Sequence, residues 1–278
     1  MKALLKRNIK LYFRDKANVF FSMLSVLLIV ALFALFLGQG NWGSDEIRDS
    51  WLMAGILAVA ALTTALGATS VIVEDKVNKI TKGFYASPIK RSRITAAYIL
   101  CPFIVSVIMT TITAVAFGVY IVAIGGDMPG IAGLLQLAGL MLLSSITATA
   151  IVCFFVSFIK TNSVFGSVSA IVGTLSGFLM GIYMPIGNLP SAIQTVIMLF
   201  PPAHAASLFR QILMERPMEL ALEAAPELDL PELQEVLGVV FRFGDFEITP
   251  VMSIAFLAAS AILFFGLSVM NMRKAGKS

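Results

Sequence analysis

His204 is the only histidine in the chain. No carboxylate or cysteine cluster accompanies it, and both metal binding and acid–base catalysis need such partners within reach, so it reads as a residue that caps or packs helices. Cys101 and Cys153 each sit in a long apolar stretch without the donors that would complete a metal site or a disulfide framework. Both are expected to be small buried hydrophobes. Gly276-Lys277-Ser278 ends like a phosphate-binding loop, but Asn271 stands where the first glycine is needed and no helix follows. The chain is therefore expected to bind no nucleotide, metal or other cofactor, and to be no enzyme.

More telling is where charge is missing. Six apolar stretches can be read, Val19 to Leu37, Trp51 to Val73, Thr95 to Ile124, Ile131 to Ile159, Val164 to Met184 and Val251 to Met270, and none contains Asp, Glu, Lys, Arg or His. Ion-coupled carriers, proton pumps and intramembrane metalloproteases all need ionisable groups at depth. Their absence argues against all three, and any energy for transport must come from outside the chain.

Composition agrees. Of 278 residues, 58% are hydrophobic and 13% charged, far below the quarter or so of charged residues usual in a soluble domain. Each stretch is long enough to cross a hydrocarbon layer of about 30 Å as a helix. The first is too long for a cleaved signal peptide. The expected fold is thus an all-α polytopic membrane protein with six transmembrane helices in one transmembrane domain, residues 1–278.

Basic residues gather at the N-terminus, between the second and third spans, at Lys160 and at the C-terminus, leaving Arg48, Arg210, Arg216 and Arg242 for the other side. The positive-inside rule then puts both termini in the cytoplasm of a multi-pass protein of the cell (inner) membrane. Trp42, Trp51, Tyr120 and Tyr183 mark the outer face, and Tyr12, Tyr85 and Tyr98 the inner one. The net charge of +4 is spent on this asymmetry, and no nucleic-acid partner is implied.

Residues 1–16 predict an amphipathic helix along the inner surface, with Leu5, Ile9, Tyr12 and Phe13 on one side and Arg7, Lys10 and Arg14 opposite. The alternative is a basic flank that only sets orientation. The extracellular region, 185–250, opens with Pro185 and Pro190, and an apolar helical run ends at Pro201-Pro202. A second short helix follows, from Ala203 to Met214. The pair is too apolar for solution and too short to span, which suggests outer re-entrant helices before the last span. An acidic stretch from Glu215 to Glu235 follows, with Pro231 able to start one more short helix, and reads as a solvated cap.

In the fifth span Ser169, Gly173, Gly177 and Gly181 recur every four residues and form one smooth face. Small residues at this spacing let helices approach closely, either within one subunit or between two. Hydroxyl groups at Thr63, Thr64, Thr69 and Ser70, around Thr110, and from Ser144 to Thr149 either line a pathway or satisfy one another between helices.

The cytoplasmic loop, residues 74–94, is basic and long enough for a short helix where a cytoplasmic partner would dock, the equal alternative being a positive-inside anchor with a Ser87-Pro88 turn. It runs Glu74-Asp75-Lys76-Val77-Asn78-Lys79-Ile80-Thr81-Lys82-Gly83-Phe84-Tyr85-Ala86-Ser87-Pro88-Ile89-Lys90-Arg91-Ser92-Arg93. This stretch resembles the loop after span two in the type-two family of ABC exporter permeases, in which an acidic residue opens the loop and Ser-Pro with basic residues closes it. Met184-Pro185, Leu189-Pro190, Phe200-Pro201-Pro202-Ala203-His204-Ala205 and Arg210 are similar to that family's segment after span five. Lys79-Ile80-Thr81 departs from a Gly-Thr-Leu-like turn, and the acidic insertion is longer than the family minimum.

The resemblance implies ATPase coupling through Glu74, Asp75, Lys79, Lys82, Tyr85, Ser87, Pro88 and Arg91. It also implies a second permease subunit, soluble ABC ATPase subunits that carry ATP and Mg, and contact with membrane lipid. The function implied is export of drugs, peptides or lipid-like amphiphiles. The competing class is a membrane assembly factor or lipid-modifying enzyme, which would need a cluster of polar catalytic groups.

Overall fold

The computed structural model describes residues 1–35, 44–227, 229–244 and 246–275. Phe36 and Leu37 at the end of the first expected span, Trp42, the Gly276–Ser278 tail and the side chain of Tyr85 lie outside the described residues.

Helices dominate. α1 (Lys2–Arg14) and α2 (Lys16–Leu35) are followed by α3 (Asp45–Ala68), α4 (Ser70–Val77), α5 (Ile80–Ala86), α6 (Arg91–Ala123) and α7 (Ile131–Ser157). Next come α8 (Asn162–Leu179), α9 (Ser191–Met198), α10 (Pro201–Leu213), α11 (Glu215–Ala224), α12 (Leu230–Val236) and α13 (Pro250–Ala275). Among the described residues five helical segments are long and apolar enough to cross a membrane: α3 with α4, then α6, α7, α8 and α13. α2 covers most of the first expected span, and its 20 residues extend about 30 Å at 1.5 Å per residue.

Several boundaries differ from the sequence expectation. The second span runs on through α4 to Val77, so Glu74 and Asp75 belong to its last turn and not to a loop. α8 stops at Leu179, short of the expected Met184, because Gly181 takes a left-handed φ of 62°. The Ile182 amide bonds the Gly177 carbonyl and the Gly181 amide bonds that of Phe178, the paired bonds of a Schellman cap. The all-α expectation also missed a hairpin: β1 (Phe241–Phe243) pairs antiparallel with β2 (Phe246–Ile248), in the register Phe243↔Phe246.

α3 forms the centre. Trp51, Met53, Ile56 and Leu57 are fully buried, and α2, α6, α7, α8 and α10 all pack around it. Its alanines explain this position, since helices in lipid gain from close van der Waals approach and not from expelling water. Hydroxyls finish the packing: Ser106 Oγ donates to the Ala61 carbonyl at 2.8 Å and lies 3.1 Å from Ser145 Oγ. Thr147 bonds the carbonyls of Leu143 and Leu257, and Thr63 and Thr64 bond back within α3. Most of these hydroxyls bond backbone carbonyls and not one another, and Thr110 Oγ1 and Thr149 Oγ1 are buried without a hydrogen-bond partner.

α1 is a helix, but the face it buries is Leu4, Asn8 and Tyr12, against α6 and the end of α3. Of the four apolar residues expected to share a face, Phe13 is exposed and Leu5 and Ile9 are half-buried. α9 and α10 form a pair bent by 90°, and Pro201 and Pro202 open α10 in place of ending the helix before it. Pro231 lies in the first turn of α12, capped by Asp229. All seven acidic residues from Glu215 to Glu235 are exposed.

Candidate functional site

Two adjacent residues at the end of α4 reach in opposite directions. Asp75, 2% exposed, accepts two hydrogen bonds from the Arg7 guanidinium at 2.7 and 2.8 Å and one from the Tyr98 hydroxyl at 2.7 Å. Paired donors from a planar guanidinium fix orientation as well as charge. The Asp75 hydrogen bond raises the pKa of Arg7 above its usual value. The same guanidinium lies 5.5 Å from the centre of the Phe84 ring on α5. One side chain thus joins α1, α4, α5 and, through Tyr98, α6.

Lys76 points the other way. Its Nζ donates to the carbonyl of Ser157, at 3.0 Å, and approaches that of Ile159 at 3.5 Å, where a cation complements the C-terminal end of α7. Asn271 of α13 donates to Ser157 Oγ at 2.6 Å. The last turn of α4 is therefore held by α1 and α6 on one side and by the end of α7 on the other, where α13 bonds the same Ser157.

α5 starts from Lys79, whose φ of 58° makes it the only described non-glycine residue with a left-handed backbone. This is the position at which the Gly-Thr-Leu-like turn supplies glycine. α5 ends where Ser87 Oγ bonds the Phe84 carbonyl at 2.6 Å, just before Pro88. Glu74, Lys79, Lys82, Pro88 and Arg91 are exposed, and Ser87 is half-buried. The sequence expectation included Asp75 but overlooked its partners Arg7 and Tyr98, and also Lys76. Arg7 had a signal: it is the one α1 cation that falls off the four-residue repeat of the others.

The expected smooth face on α8 divides in two. Gly177 and Gly181 serve the helix end: a Cβ on Gly177 would lie 2.3 Å from the Tyr183 ring, and one on Gly181 would meet Ile186. Ser169 and Gly173 instead line a cavity of about 970 Å³ between α2, α3 and α8, with Ser22, Thr63 and Gly67 opposite. Ser169 Oγ has no hydrogen-bond partner there. The walls are apolar with scattered hydroxyls, which suits an amphiphile better than an ion.

At the far end of the bundle Arg210, on α10, is completely buried. Its guanidinium donates to the carbonyls of Met180 at 2.7 Å, Gly181 at 3.0 Å and Gly238 at 3.3 Å, and lies 5.2 Å from the centre of the Trp51 ring. Gly238 (φ 67°) ends α12 as Gly181 ends α8. Two helix C-termini, each about half a negative charge, thus face one cation. Trp51 Nε1 donates to the Leu237 carbonyl at 2.9 Å. His204 is buried, bonded to Ser253 Oγ at 3.0 Å and to the Met198 carbonyl at 2.8 Å, and packs on Phe241 and Phe256. Pro185, Pro190, Pro201 and Pro202 bound the turns that bring Arg210 and His204 to these partners.

Among the described residues no group of three or more His, Cys, Asp or Glu is arranged to hold a metal. No curated protein matches the chain. A family model described as ABC-2 family transporter protein matches residues 44–270, from the N-cap of α3 to the penultimate turns of α13.

Proposed function

The chain belongs to the ABC-2 family of transporter proteins, and from that premise we propose that it is the permease subunit of an ATP-driven exporter. As a member it is a component of a membrane transporter and a multi-pass membrane protein. On this reading ATP and Mg are bound by a separate soluble ATPase, two permease subunits form the path, and the cargo is a drug, peptide or lipid-like amphiphile. Both termini and α5 lie in the cytoplasm of the cell membrane, and the segment from Pro185 to Pro250 lies outside.

The observation that carries the reading is the hub at Asp75 and Lys76. An ATPase outside the membrane can act on the spans only through surface exposed at its own side. α5 is a short helix with Lys79 and Lys82 exposed, and its anchor is tied to α1, α6 and α7, and through Ser157 of α7 to α13. A push on α5 is therefore delivered to several helices together and is not lost in a slack loop.

Replacing Lys79 to Tyr85 by a Gly-Ser linker, or Glu74 by Lys, is expected to abolish cargo-stimulated ATP hydrolysis in the reconstituted complex while insertion stays normal. Wild-type stimulation and export by the linker variant would overturn the coupling role.

A further inference from the structure

α1 carries cations at Lys2, Lys6, Lys10 and Arg14, one every four residues and all exposed. The buried residues Leu4, Asn8 and Tyr12 keep the same spacing, offset by two. At 3.6 residues per turn the two rows lie roughly 180° apart. The cationic row therefore faces directly away from α6, on which the other row packs. None of the four cations forms an ion pair among the described residues. Arg7 sits between the two rows and is taken up by Asp75. The side of α1 that serves the α4–α5 hub is thus separate from the cationic row.

Direction discriminates between partners. A protein docking on α5 meets the side of α1 that carries Arg7, whereas a row opposite the helix bundle faces what surrounds the bundle. Around a membrane protein that is lipid, and successive cations about 6 Å apart along the helix suit a row of phosphate headgroups. Beside the row, Leu5 and Ile9 pack against the protein core and Phe13, 39% exposed, is left at the edge for the acyl region. We infer that the Lys2–Lys6–Lys10–Arg14 row of α1 is a binding surface for anionic phospholipid headgroups, selecting them over zwitterionic ones. The apolar face of α1 is occupied by its own protein, so the row does not serve to attach the helix. It recruits a lipid class to the outside of the hub.

The test uses the full chain in phosphatidylcholine vesicles containing spin-labelled phosphatidylglycerol or phosphatidylcholine, and compares the fraction of each lipid held at the protein. Wild type is expected to prefer phosphatidylglycerol about fivefold at low salt and to lose most of that preference at about 1 M salt, where charges beyond about 3 Å are screened. A variant with Lys2, Lys6, Lys10 and Arg14 all replaced by Gln should show nearly equal binding. The Arg-only variant K2R/K6R/K10R should keep the preference, and a loop variant with Lys79, Lys82 and Lys90 replaced by Gln should keep it too. A salt-insensitive preference in wild type overturns the inference even if the Gln variant fails to insert. So does a loop variant that loses as much as the α1 variant. So does an α1 variant that keeps its lipid preference but loses a co-expressed ATPase, which would assign the row to a protein partner. Lipid preference is read without ATP hydrolysis, so its failure is distinct from failure of the coupling reading.

Discussion

A buried guanidinium without a carboxylate is costly unless other dipoles replace the lost water. Arg210 meets this by bonding carbonyls at two helix C-termini and lying near the Trp51 ring. Arg210→Met would leave those carbonyls unpaired and should lower stability by about 3 kcal/mol, seen as an earlier thermal transition in tryptophan fluorescence. Lys should recover only part of this, because one ammonium cannot serve both caps as a planar fork does. An unchanged transition in the Met variant would show that the two caps hold without the cation. Gly177 allows a contact of another kind. Gly177→Ala drives a methyl toward the Tyr183 ring and should cost about 1–3 kcal/mol. Adding Tyr183→Ala should remove most of that penalty, whereas a penalty arising at a subunit contact would persist in the double variant.

At the scale of elements, apolar length and charge placement made the spans legible, because lipid enforces both. Boundaries set by local bonding were harder to read. The stop of α8 at Gly181 was hidden by a repeat that looked like one packing face, and the continuation through α4 by the acidic pair at its end. Asp75 could be picked out beside Glu74, but which of them is buried depends on Arg7, 68 residues away, and no local pattern encodes that contact. The hairpin at Phe241 to Ile248 has strands of only three residues, too short for an alternating pattern to stand out. Lys76 follows from the same geometry. Its ammonium links α4 to α7, so Lys76→Met should keep the packing of α4 yet cut ATPase stimulation by cargo roughly tenfold, a loss of about 1.4 kcal/mol of coupling. Lys76→Arg should restore much of it. Equal stimulation in the Met variant would leave α1, α6 and the continuous second span as the routes from α5.

For the whole molecule, the proposal of two permease subunits raises the question of which faces of the single chain would meet lipid and which another copy. α3 has 94% of its apolar window buried, whereas α8 has 11% and α13 has 28%, so α8 and α13 are the spans most in need of surroundings. Both expose large apolar residues, and they differ in what lies beside them. α13 presents Val251, Ile254, Ile262, Leu263 and Phe265, large apolar groups for which acyl chains are adequate partners. α8 exposes Val164, Ile171, Leu175 and Phe178 as well, but only α8 adds Gly166, Ala170 and Thr174 beside the cavity it forms with α2 and α3. Small and hydroxylated residues gain little from lipid and most from a closely approaching helix. A second copy placed against α8 would close the open side of that cavity and turn it into an enclosed apolar path with hydroxyls along its wall. Single cysteines at Ala170 or Thr174 should therefore join two copies through a short bis-maleimide in native membranes, while one at Ile262 should not. The native Cys101 and Cys153 are both buried and should give little background. Joining at Ile262 in place of Ala170 and Thr174 would put the contact on α13 and leave the cavity facing lipid, with cargo entering from the bilayer and no shared path between subunits.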